Sequence, residues 1–153
     1  SDIGSFRKPY YDGKRVIPNQ ESIDRVVPDR NTVLWLAHRN INPPDTYVWI
    51  NKLRDKDHFY HSGSQAAGYK DAFKQFLPEM AKTLDDFDTV FVGEDQCILQ
   101  ATCLRNPKLC AYIPSGQVKD NRYFGLRYVF YHNHSKAGSE FKIWRAPEPD
   151  PSF

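Results

Sequence analysis

Long apolar runs are missing from this chain; its unbroken hydrophobic stretches are only a few residues each. A bilayer-spanning helix needs about 20 consecutive apolar residues, and a signal peptide needs an apolar core of its own. The expectation is therefore no membrane span and no signal-peptide core. Cysteine is scarce as well, with three in 153 residues. An odd count offers no even disulfide framework, which argues against a disulfide-stapled secreted domain and places the chain inside a cell. There is no Gly-rich phosphate loop, no paired-carboxylate signature and no Ser-His-Asp order, so the usual sequence marks of phosphoryl transfer, glycoside hydrolysis and acyl transfer are lacking. Internal repeats are absent too.

What is present supports a packed fold. The chain is 40% hydrophobic and 14% aromatic, which favours a real core over disorder, and its length suits one domain better than two. The net charge of +2 is small, but its distribution is uneven. From Cys103 to His134 five basic residues (Arg105, Lys108, Lys119, Arg122 and Arg127) stand against Asp120 alone, a local charge of +4. Just upstream, Asp85, Asp86, Asp88, Glu94 and Asp95 have no basic neighbour between them, a local charge of −5. A basic sheet behind an acidic connector fits a surface that meets phosphate on one side only.

Local patterning divides the chain into three parts. Residues 1–63 comprise a polar arm, a short helix over 19–27 ended by Pro28, and two apolar runs, 31–39 and 46–53, expected to pair as a β-hairpin across Pro43-Pro44. Residues 64–147 open with a helix from Ser64 to Phe76 that breaks at Pro78 and restarts, then turn to strands. The strands are expected near 89–92, from Cys97 to Cys103, from Cys110 to Pro114 and from Tyr123 to His134, with an edge strand at 139–147. In this reading Cys97 is the spare cysteine, packed in the core beside Leu99. Residues 148–153 form a Pro-rich tail. The fold class expected is α+β, an antiparallel four- to five-stranded zinc-stabilised sheet preceded by a helix and the N-terminal hairpin.

Zinc enters from one spacing, C-x6-C-x21-H-x-H, formed by Cys103, Cys110, His132 and His134. Asn106-Pro107 favours a turn that brings the two sulfurs back toward one point, and the single residue between the histidines puts both imidazoles on one face of a strand. Two thiolates and two imidazoles complete a tetrahedral set for Zn2+, with no position left for a catalytic water, so the site would be structural.

The spacing and the element order KDAFKQFLPEM, TVFVG, CILQATC, CAYIPS, FGLRYVFYHNH resemble the zinc-binding β-sheet DNA-binding domains of the WRKY, glial-cells-missing and FLYWCH superfamily. The nearest likeness is to the FLYWCH and far-red-impaired or Mutator-transposase types, over residues 64–136 only. The WRKYGQK signature is absent. The resemblance implies a nuclear DNA-binding domain of a transcription regulator or transposase-derived protein that presents a strand to the major groove of duplex DNA. Lys108, Lys119, Arg122 and Arg127 would then contact phosphates, and Gln96 and Gln100 would offer amides to base edges. The matching strand, around 89–96, is acidic in this chain, a departure that weighs against base reading through it.

Two other classes compete. One is a protein-interaction module in which zinc only folds the surface and tyrosines and tryptophans meet a protein partner. The other is an enzyme acting on nucleic acid or nucleotides through His58 and His61, or His38, as acid, base or ligand. His58 and His61 are flanked by Asp55 and Asp57 but lack further ligands at defined spacing, and the expectation for them is ordinary loop histidines near a helix start. Tyr60-His61-Ser62-Gly63 also resembles the first strand of ADP-ribosyltransferases, whose later Ser-Thr-Ser strand has no counterpart here.

Overall fold

A computed structural model describes residues 20–37, 61–88, 95–114, 126 and 142–145. Its centre is β1, Val33–Ala37, whose five residues VLWLA are all buried. Such a run, apolar at every position, suits a strand covered on both faces. Period-two alternation then divides the core. Leu34 and Leu36 pack with Val26, Val27, Ala111, Ile113 and Leu126, whereas Val33, Trp35 and Ala37 pack with Ala72, Phe76, Cys103, Cys110 and Tyr112.

The first of these faces is covered by α1, Gln20–Val26, with Glu21 in its first turn and Arg25 in its last, both favourable to the helix dipole. This is the helix expected over 19–27. The second face is covered by α2, Lys70–Asp86, and α3, Asp95–Arg105. A 3-10 turn, Pro107–Leu109, leads from α3 into β3, Cys110–Ile113.

The sheet runs in the order β2-β1-β3, with β2 being His61–Ala67. β2 pairs antiparallel with β1, and β3 pairs parallel with it. On the far side of β3, Tyr112 and Trp144 exchange both backbone hydrogen bonds, at 2.8 and 2.9 Å, in an antiparallel bridge within the expected edge strand. The class is α+β, helices with an open sheet. The expected all-antiparallel order is corrected, because β1 and β3 run the same way. The second strand of the expected hairpin, residues 46–53, lies outside the described ones; over 33–37 β1 pairs with β2 on one edge and β3 on the other.

Three further expectations change. Residues 61–67 are a strand, and the helix that follows starts at Lys70 and not at Ser64. Gly68, at this junction, lies against the β1 backbone, where a Cβ would sit 3.2 Å from the Thr32 carbonyl oxygen. Pro78 does not break α2, which runs through it. Proline removes one N–H and leaves the Lys74 carbonyl without its helical donor, but both residues are exposed and water can satisfy that oxygen.

The third change affects function most. Residues 97–103, expected as a strand, lie within α3. Asp95 in the first turn and Arg105 in the last suit the helix dipole, the Thr102 hydroxyl donates to the Ile98 carbonyl at 2.7 Å, and Asn106 donates to the Thr102 carbonyl from its backbone and side-chain amides. The alternation of polar and apolar residues in CILQATC is real, but six residues of α3 are buried, Gln100 and Thr102 among them. A helix buried over so much of its surface has no clean apolar stripe to announce its period. Among the described residues no helix is long and apolar enough to cross a membrane.

Candidate functional site

The α2/α3 face of the sheet gathers His61, Gln100, Tyr112 and Trp35 into one buried cluster. β2 begins with His61, whose backbone N–H donates to the Gln100 Oε1 of α3 at 3.1 Å. Its ring Nδ1 lies 3.0 Å from the Tyr112 hydroxyl of β3. A phenol that donates there makes Nδ1 the acceptor and leaves the proton on Nε2, the neutral imidazole. Trp35 stacks obliquely on His61 with ring centroids 4.4 Å apart, and Phe76 of α2 lies 5.5 Å from Trp35 on the same pattern. Trp144 closes the far side against Tyr112 at 5.7 Å.

All of this lies inside. His61, Gln100 and Tyr112 are fully buried. An amide carbonyl satisfying a strand N–H and a phenol facing an imidazole are the pairings that buried polar groups require. As placed, His61 gives a substrate no route to its ring. The expectation of a loop histidine is corrected: His61 is a core residue of β2. His58 and His38 lie outside the described residues.

Cys103, in the last turn of α3, and Cys110, the first residue of β3, are brought together as the turn-forming Asn106-Pro107 implies, with Cα atoms 5.5 Å apart. Their sulfurs are joined in a disulfide across the 3-10 turn, and both residues are fully buried. A disulfide sulfur is not a thiolate, so in this state the pair does not fit zinc. His132 and His134 lie outside the described residues, among which no cluster of three or more His, Cys, Asp or Glu could hold a metal. An odd cysteine count does not exclude a disulfide, since two of the three pair here. Cys97 lies outside this disulfide, half-buried and packed by Ala101 and Leu104.

The residues expected to touch nucleic acid separate. Lys108 is exposed on the 3-10 turn. Gln96 is half-buried in the first turn of α3. Gln100 is corrected, because a side chain with no exposed surface has no amide to offer a base edge. Lys119, Arg122 and Arg127 lie outside the described residues. The acidic and basic stretches, which the sequence keeps apart, meet where Arg105 Nη1 contacts Asp86 Oδ2 at 2.5 Å.

A second polar cluster holds the other end of β1. Asp29 Oδ2 accepts from the Thr32 hydroxyl at 2.8 Å and from Arg145 Nη2 at 2.6 Å, while Oδ1 accepts the Asn31 N–H at 2.8 Å. Arg145 Nη1 also donates to the Lys108 carbonyl at 3.1 Å, so one guanidinium joins the segment beyond β3, the 3-10 turn and the approach to β1. Burial pushes the Asp29 carboxyl upward, but the Thr32, Asn31 and Arg145 donors outweigh it and hold the group below the ordinary carboxylate range. A carboxyl whose folded-state value is depressed contributes stability above the unfolded value and loses it as pH falls through the folded one. Acid titration of stability below about pH 4 is therefore expected to be shallower for Asp29→Asn than for the parent chain, as read by thermal melts across that range. Identical acid limbs would remove Asp29 from the account.

Neither short spacing nor motif announced the buried cluster, whose members His61, Gln100 and Tyr112 are 39 and 51 residues apart in pairs that touch. No protein-family model, no curated protein and no solved structure matches this chain.

Proposed function

We propose that this chain is a protein-interaction module, a framework cross-linked at Cys103–Cys110 that meets its partner through the outward side of α2. The observation that supports this reading is the contrast between inside and outside. His61, Gln100, Tyr112, Cys103 and Cys110 are consumed in packing, whereas the large hydrophobics left exposed among the described residues are Leu77 and Leu84, both about half exposed and both on α2. Residues seven apart share a helix face, so these two side chains form one stripe. Apolar side chains grouped on one face of a helix are the ordinary material of a helix-mediated contact. A disulfide also persists in oxidising compartments, which makes a secreted or lumenal setting a better fit to this reading than the nucleus.

The test is capture by immobilised, folded protein from an extract of its source, comparing the parent with Leu77→Asp/Leu84→Asp. The parent is expected to retain a discrete partner that the variant loses by tenfold or more, with both melting alike because neither leucine is in the core. Equal retention by both would overturn the reading.

A second reading keeps the zinc-stabilised domain that binds duplex DNA, and the exposed position of Lys108 within the basic stretch favours it. It requires a reduced chain in which Cys103 and Cys110, as thiolates, join His132 and His134 around a structural Zn2+, and it must find its cations beyond Arg105, which faces Asp86. Retention on duplex DNA with a log–log salt slope of about −0.9 per phosphate contact, flattened by Lys108→Ala, would support it over the first.

A further inference from the structure

We propose that the partner of α2 is a second copy of this chain, docked antiparallel along the same helix; the inference deepens the interaction reading and rests on it. Lys70, Lys74, Leu77, Ala81, Leu84 and Asp88 are all exposed. Their spacing alternates four and three along the helix and into the turn that ends it. This is the seam periodicity of two helices packed side by side, lying away from the buried residues Ala72, Phe76 and Thr83. The seam is apolar only at its middle; its ends carry opposite charges.

Those ends identify the occupant. α2 begins with Lys70 and Lys74 on the seam and finishes in Asp85, Asp86 and the following Asp88, with no basic residue in its last turn. Asp71 in the first turn suits the helix dipole, but the acidic end opposes it, since the dipole favours bases there. In an antiparallel pair the disadvantage is reversed, because each basic start lies beside the acidic end of its copy. The seam register that sets Leu77 against the copy's Ala81 also sets Lys70 against the copy's Asp88 and Lys74 against the copy's Leu84, beside its Asp85. One stripe is thus self-complementary in both charge and shape, as a two-fold contact requires. Among the described residues Lys74 pairs with Asp71, at 3.6 Å and well exposed, a contact weak enough to exchange. Two leucines and an alanine on each side bury too little for an obligate dimer, so the association belongs to the weak, concentration-dependent class.

Sedimentation equilibrium of the purified, non-reduced chain is the test. Average mass is expected to rise from the 17.8 kDa monomer toward twice that value between micromolar and millimolar loading. Leu77→Lys/Leu84→Lys should abolish the rise, since it removes the apolar middle and sets like charge against the copy's Lys74. Lys70→Glu alone and Asp88→Lys alone should each weaken it at least tenfold, since each places like charges opposite one another. An equimolar mixture of those two single variants should recover association, because the mixed pair restores both attractions. Lys70 and Asp88 are exposed, and melts of each variant check that folding is unchanged. A chain that stays monomeric throughout would overturn the second copy as partner, while a variant-sensitive partner in the capture experiment would still leave the interaction reading standing. Association unchanged by the charge variants and unrestored by mixing would overturn this register.

Discussion

Replacing Cys103 and Cys110 together by Ala is expected to lower unfolding free energy by roughly 2–3 kcal/mol from chain entropy alone, the magnitude for a closed loop of this short length. Loss of the two buried sulfurs adds a packing term, because both residues lie inside the α2/α3 core. Denaturant unfolding of the parent and variant under non-reducing conditions measures the difference. The same experiment separates the two states open to this cysteine pair. If the disulfide stabilises the fold, a thiol reductant lowers the midpoint and a chelator leaves it unchanged. If a structural zinc holds reduced thiolates, the chelator lowers it and the purified chain carries one metal. A chain whose two free thiols alkylate readily in the native state, with the stability of the parent, would remove the cross-link from the argument.

Tyr112→Ala is expected to be more damaging still, on the order of 3–5 kcal/mol, as for other large aromatic truncations in a packed core. Tyr112 is fully buried, lies edge-on to His61 at 5.6 Å and against Trp144, and forms the backbone bridge that joins residue 144 to the sheet. Tyr112→Phe separates the terms, because it keeps the ring and removes only the partner of His61 Nδ1. Leaving a buried polar atom unsatisfied costs about 1–3 kcal/mol, so this variant should fall between the parent and Tyr112→Ala. Equal stability of Tyr112→Phe and the parent would show that the hydroxyl contributes nothing, and that the histidine is held by packing alone.

The consequence for function is that His61, the histidine among the described residues, has a packing role as placed. His61 drew attention through its neighbours in sequence, Asp57 and His58, yet its partners in space are Gln100, Tyr112 and Trp35. Gln100 shows the same displacement. Its amide type suggested base recognition, and its position makes it the acceptor for a strand N–H. The large hydrophobics that do reach the surface among the described residues are Leu77 and Leu84. Only the rotation of α2 against the sheet distinguishes Phe76, which is covered, from its neighbour Leu77, which is not.

By itself the sequence determined those features that depend on neighbouring residues. The short helix ended by Pro28, the buried run at 33–37, the turn at Asn106-Pro107 that brings two cysteines together and the strand starting at Cys110 all follow from local propensity and hydrophobic period. Tertiary structure decided the rest. CILQATC satisfies an alternating strand pattern, but burial over most of its surface makes periodicity uninformative, and the packing of α3 against β2 and α2 selects the helix. HSGSQAA has little intrinsic strand character and becomes β2 because the free edge of β1 pairs with it. The parallel pairing of β1 with β3 joins segments more than seventy residues apart, and no window on the sequence contains both. Pairing, burial and the partners of polar groups are properties of contacts distant in sequence, and for this chain they determine which residues are available to act.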